Sequence, residues 1–136
     1  MEKWIKWEPI TNLSDTYYID SIIDDCDGLK IVLSESKNEH NKLSIIFESS
    51  VDFYAKTDET FVGSIINELN QLYGTKFYSE WTFFKRINSD HIQQLSKQSY
   101  GIADSRNLIH FSIIATDSIL DVIAAYEPKI ERIGQQ

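Results

Sequence analysis

Apolar and polar positions alternate with a period of two over several short stretches of this chain, and recur every three or four residues over one longer stretch. Residues 16–23 gather Tyr17, Tyr18, Ile19, Ile22 and Ile23, aromatic and β-branched side chains that suit a pleated strand. The cluster Asp24-Asp25-Cys26-Asp27-Gly28 then reads as a turn, after which Leu29, Ile31 and Leu33 alternate with Lys30, Val32 and Ser34. These two segments predict a hairpin. After a polar stretch from 35 to 41, Leu43, Ile45 and Phe47 share one face of a third strand. Ser49-Ser50 can turn the chain into a fourth, in which Val51, Phe53 and Ala55 alternate with Asp52, Tyr54 and Lys56.

Between residues 60 and 73 the rhythm changes. Phe61, Ile65, Leu69 and Leu72 recur at helical spacing, and Gly74 stands where a helix needs a left-handed residue to stop. An aromatic-rich strand follows over 80–87, and then a short helix for which Asn88 or Ser89 is a natural N-cap and which ends near Tyr100-Gly101. Residues 108–115 predict another strand. The run 119–126 suits either a helix capped by Asp117 or Ser118 or a strand that ends before Glu127-Pro128; a strand paired with 108–115 is the preferred reading. The expected fold is one α+β domain over residues 1–136, with a mainly antiparallel sheet of about six or seven strands and two helices.

Composition supports a folded chain. Apolar residues make up 42% and charged residues 25%, and the chain carries 3 Trp, 7 Tyr and 7 Phe. At 136 residues it can bury roughly two-thirds of the surface its unfolded form exposes. Charge changes the picture more. Asp and Glu outnumber Lys and Arg, 21 to 13, for a formal charge of -8. Such a chain repels nucleic acid phosphates and anionic membrane surfaces, and its long-range field attracts a basic protein. The single cysteine, Cys26, has no internal disulfide partner, and the charge-interleaved stretch from Met1 to Pro9 is no signal-peptide core. A cytoplasmic, reducing compartment is therefore expected.

The search for chemistry is mostly negative. Asp24, Asp25 and Asp27 crowd one turn, but calcium-loop spacing would need an oxygen ligand where Ile23 stands and a glutamate where Ser34 stands. His40, His91 and His110 lie far apart in sequence, no serine sits in a glycine-flanked elbow, and the five glycines are scattered singly. His110, inside an alternating strand, reads as a hydrogen-bonded or half-exposed sheet residue rather than a general base. Trp4 and Trp7, with Tyr17 and Tyr18, could be contact anchors but read rather as core. No cofactor, metal site or catalytic residue is expected, and the chain reads as a non-catalytic protein-binding module. Its candidate partner-binding positions are the carboxylates Asp24, Asp25, Asp27, Glu35, Glu39, Asp52, Asp58 and Glu59, concentrated in the first half of the chain. The alternative is a small-ligand protein or minor enzyme with a pocket near Trp81, Tyr100 and His110.

The stretches Trp81-Thr82-Phe83-Phe84-Lys85, Asn88-Ser89, Ser99-Tyr100-Gly101-Ile102, Ile109-His110-Phe111, Asp121-Val122-Ile123 and Tyr126-Glu127-Pro128 resemble a family of small uncharacterised Bacillus-type proteins. The likeness covers about the last 60 residues, with a weaker extension to Ile45-Ile46-Phe47 and to Val51 through Glu59. Some members of that family resemble immunity proteins encoded beside polymorphic toxins. The resemblance implies neutralisation of a basic toxin domain by covering it, and it carries no catalytic residue.

Overall fold

The computed structural model describes residues 1–134. Nine strands form two antiparallel sheets. One holds β1 (Lys3–Lys6), β6 (Phe83–Ile87), β7 (Ile109–Ile114), β8 (Ser118–Ala124) and β5 (Phe53–Asp58) in that spatial order; the other holds β2 (Tyr17–Asp25), β3 (Gly28–Glu35), β4 (Asn41–Phe47) and β9 (Lys129–Gly134). The helices are α1 (Gly63–Tyr73) and α2 (Asp90–Gln98). The fold is α+β, as the periodicity predicts. The undecided run after Ser118 is a strand, and it pairs with β7 from Ile109 opposite Ala124 to Ile114 opposite Ile119.

Period-two patterning tells which face of a strand is buried, but not which sheet the strand joins. That is why the chain divides into two sheets where one was expected. The connection at Ser49-Ser50 leads from β4 in one sheet to β5 in the other rather than closing a hairpin. Two strands escaped the pattern altogether. β1 has four residues, two of them lysine, and β9 carries Lys129, Glu131 and Arg132. Both are sheet edges, where charge discourages pairing with another chain.

The sheets pack face to face over a core built from Leu29, Ile31, Leu33, Leu43, Ile45 and Phe47 on one side and Phe83, Phe111, Ile113, Leu120 and Val122 on the other. Trp7 and Tyr17 are buried with them, and Trp4 is buried in a second cluster beneath α1 with Phe84, Ile114 and Ile119. That cluster corrects the helix face. Val62 and Leu69 are buried in it, with Ile65 and Ile66 packed alongside, whereas Phe61 is 76% exposed and Leu72 47%. The cause lies at the helix start. Phe61 ends a 3-10 turn (Glu59–Phe61) and α1 begins only at Gly63, so the buried stripe is rotated from the one expected. Gly74, with φ +92, stops the helix, and its N–H donates to the Asn70 carbonyl.

The β2–β3 hairpin closes through Cys26 and Asp27, with Asp25 opposite Gly28. Gly28 is obligatory there for two reasons. Its φ is +115, and a Cβ would stand 2.0 Å from the Phe47 carbonyl oxygen of the neighbouring strand. Among the described residues no helix is long and apolar enough to cross a membrane.

Candidate functional site

Strand direction decides where the candidate carboxylates go. β3 runs from the hairpin turn at Gly28 to Glu35, β4 returns to Phe47, and β5 runs back from Phe53 to Asp58. Asp24, Asp25, Asp27 and Asp52 therefore stand at one end of the sandwich, and Glu35, Glu39, Asp58 and Glu59 at the other. The six residues of β5 alone separate the two sets by roughly 20 Å at a strand rise of about 3.3 Å. The eight positions form two acidic ends rather than one patch.

At the first end, a cleft of about 620 Å³ is lined by Asp24, Asp25, Glu48 and Asp52 together with Tyr54 and the Ser49-Ser50 connection. Asp24 and Asp25 come from the end of β2, and Glu48 and Asp52 from the connection between β4 and β5, more than twenty residues further along the chain. Sequence reasoning missed Glu48, which directly follows Phe47 at the end of a predicted strand; its place before the Ser49-Ser50 turn was the available signal. The Tyr54 hydroxyl donates to Asp24 Oδ2 at 3.3 Å. Desolvation, and then the Asp24 charge, push that phenol above its ordinary 10.0. Asp52 pairs with Arg106 at 2.9 Å, while among the described residues Asp24, Asp25 and Glu48 have no ion-pair partner. The cleft thus offers acceptors and uncompensated negative charge, which suits cationic side chains.

At the second end, Asp58 Oδ2 accepts from the Thr60 N–H at 3.0 Å, capping the 3-10 turn. The hydrogen bonds from Thr60 hold Asp58 below its ordinary 3.8. Glu59 lies next to it on the rim of a second, mostly apolar cavity of about 440 Å³ at the start of α1.

A third arrangement lies on the helix-covered face of the five-stranded sheet. β6, β7 and β8 place Arg86, His110, Ser112 and Asp121 on that face, beside one another in register. Asp121 Oδ1 accepts from His110 Nε2 at 2.8 Å, Ser112 Oγ at 2.6 Å and Arg86 Nη2 at 3.1 Å. A carboxylate can only accept, so Nε2 carries a proton, and His110 Nδ1 and the Ser89 hydroxyl share a hydrogen bond of 2.6 Å. The Arg86 guanidinium stacks on Trp4, 3.9 Å from the ring centroid, and pairs with Glu2 at 3.7 Å. Burial alone pushes the Asp121 carboxyl up, but the His110 hydrogen bond and the Arg86 charge outweigh it, leaving the group below its ordinary 3.8. Burial, and then the neighbouring His110 ring, push His91 below its ordinary 6.5.

Ser89, His110 and Asp121 have the order of a hydrolytic triad, and Ser89 and Asp121 also bond to groups outside it. Ser89 Oγ also accepts from the Ile92 N–H, as the N-cap of α2, and the residue is 3% exposed. The Asp90 N–H, which in a strand-to-helix elbow would stabilise an oxyanion, donates instead to Glu2 Oε2 at 3.0 Å. The arrangement therefore acts as a clamp that fixes α2 to the sheet.

The pocket expected around Trp81, Tyr100 and His110 does not form. Trp81 precedes β6, at the end of that strand remote from His110, and its Nε1–H donates to the Trp7 carbonyl. His110 is 1% exposed beneath α2, and Tyr100 stands 99% exposed beyond the C-terminus of the same helix. A strand end, a strand start and a loop tip do not converge. No protein-family model, curated protein or solved structure matches the chain.

Proposed function

We propose that this protein is a binding module for a basic protein surface, with the cleft of Asp24, Asp25, Glu48 and Asp52 as its contact site, and that it acts as an immunity protein against a toxin domain. The observation that carries the reading is the convergence on one open cleft of carboxylates from two segments distant in the chain, three of them without an ion-pair partner among the described residues. Holding like charges together costs stability, and a partner that supplies lysine or arginine repays that cost on binding. Tyr54 adds a rigid aromatic edge with a polar tip, a side-chain type enriched at interfaces. The resemblance of about the last 60 residues to a family of small Bacillus-type proteins, some members of which resemble immunity proteins, supports the same reading.

The test is co-expression with each basic protein domain encoded by the genes adjoining this one, scored by growth, together with stopped-flow association of the purified pair at low and high salt. The expected result is growth rescue, a stable complex and an association rate that falls with salt. Asp25→Lys combined with Glu48→Lys should slow association by at least about tenfold. The reversal Asp58→Lys with Glu59→Lys at the opposite end should leave the rate within about a factor of two, because the screening length at physiological salt is only about 8 Å. Absence of both rescue and complex refutes the module, and equal effects from the two reversals refute the placement of the site.

A further inference from the structure

We propose that the cavity of about 440 Å³ at the start of α1 binds a small molecule with a compact apolar body and a cationic amine head. The site lies at the end of the sandwich opposite the acidic cleft, so it stands apart from the protein-binding reading.

The cavity has an identifiable origin. Further along α1, Leu69 closes the apolar cluster over Phe84 and Ile114. At the first turn Val62 is the buried residue over the sheet, and the exposed Gly63 beside it carries no side chain to narrow the space. Val62, Ile66, Ile114 and Ile119 form the apolar wall of an open chamber. Its volume falls within the range of about 300–1,000 Å³ typical of small-molecule sites, and an apolar wall with a few polar groups is their usual construction.

The head group follows from the rim. Among the described residues Glu59 is the one charged side chain lining the cavity, and it has no ion-pair partner. The Tyr78 hydroxyl, also on the lining, makes no hydrogen bond among the described residues and can take up a ligand N–H. A negative rim over an apolar chamber favours a cation attached to an apolar body over its neutral or anionic counterpart of the same shape.

Three indole compounds of nearly one shape separate these possibilities: tryptamine, which carries an ammonium group; tryptophol, which carries a hydroxyl; and indole-3-acetate, which carries a carboxylate. Binding is read from the amide shifts of Gly63, Ile66 and Ile119 in titrations of the full chain. The expected order is tryptamine first, tryptophol weaker and indole-3-acetate weakest. Glu59→Gln should reduce tryptamine binding about two- to fivefold, as for an exposed ion pair, and leave tryptophol unchanged. Gly63→Phe, which places a ring in the open chamber without a φ conflict, should remove binding of all three while the remaining amide spectrum stays native. The proposal is overturned if no compound gives saturable shifts at those amides, if indole-3-acetate binds as tightly as tryptamine, or if Glu59→Gln leaves tryptamine unaffected.

Discussion

Two glycines illustrate how one residue type carries opposite constraints. Gly28 occupies a left-handed backbone position and abuts the Phe47 carbonyl, so Gly28→Ala meets both strain and overlap. A loss of about 2–3 kcal/mol is expected, read from the urea unfolding midpoint. Gly63 has ordinary φ and open space around it, and Gly63→Ala should instead stabilise by about 0.5–1 kcal/mol, the usual gain of alanine over glycine in a helix. Equal effects at the two sites would contradict the geometry. The glycine in the turn was legible from its company of aspartates. The Phe47 contact was not, because it arises from the fold of β4 alongside the hairpin.

Among the elements, α2 depends on its start. It has no fully buried residue, so its apolar contribution is small and the Ser89 cap with the His110 clamp does much of the holding. Ser89→Ala removes the cap, worth about 1 kcal/mol, and leaves His110 Nδ1 buried without a partner, at about 1–3 kcal/mol. A total loss of about 2–4 kcal/mol is expected, accompanied by faster amide exchange in the first turn of α2. The acid limb of stability belongs to the same element pair. The folded Asp121 carboxyl titrates below its ordinary 3.8, so below that value the unfolded chain takes up the proton first. Its contribution is complete above 3.8 and is lost as pH falls through the lowered folded value. Asp121→Asn should therefore be less stable than the parent at neutral pH, and the difference should narrow on acidification below 3.8; a constant difference in unfolding midpoint would contradict the assignment. The Ser89 cap was readable as a short polar residue before a helical pattern. The clamp was not, since its members lie on three strands and a loop.

Across the whole molecule, the distribution of charge matters more than its sum. The chain carries a net charge of -8, and at one end of the sandwich Asp24, Asp25 and Glu48 line one cleft without ion-pair partners among the described residues. Such a grouping disfavours the folded state in isolation, so neutralising it should stabilise the chain while weakening its binding. Asp25→Asn with Glu48→Gln is expected to raise the thermal midpoint at low salt, and the gain should shrink in high salt. A midpoint that falls at low salt would show that these carboxylates hold the hairpin rather than await a partner.

Local periodicity was enough to determine the α+β class, seven of the nine strands, both helices and the acidic character of the turns, because each of these depends on residues close together in the chain. The size of the aromatics also put Trp4, Trp7 and Tyr17 inside, since large aromatics gain most from burial, whereas Tyr18, read as core with them, points to the other face of β2 and is 42% exposed. Tertiary structure alone decided the division into two sheets, the separation of the eight carboxylates into two ends, the entry of Glu48 into the cleft and the dispersal of Trp81, Tyr100 and His110. Those outcomes depend on strand direction and sheet membership, which are set by long-range pairing and leave no mark on the alternation within a single strand.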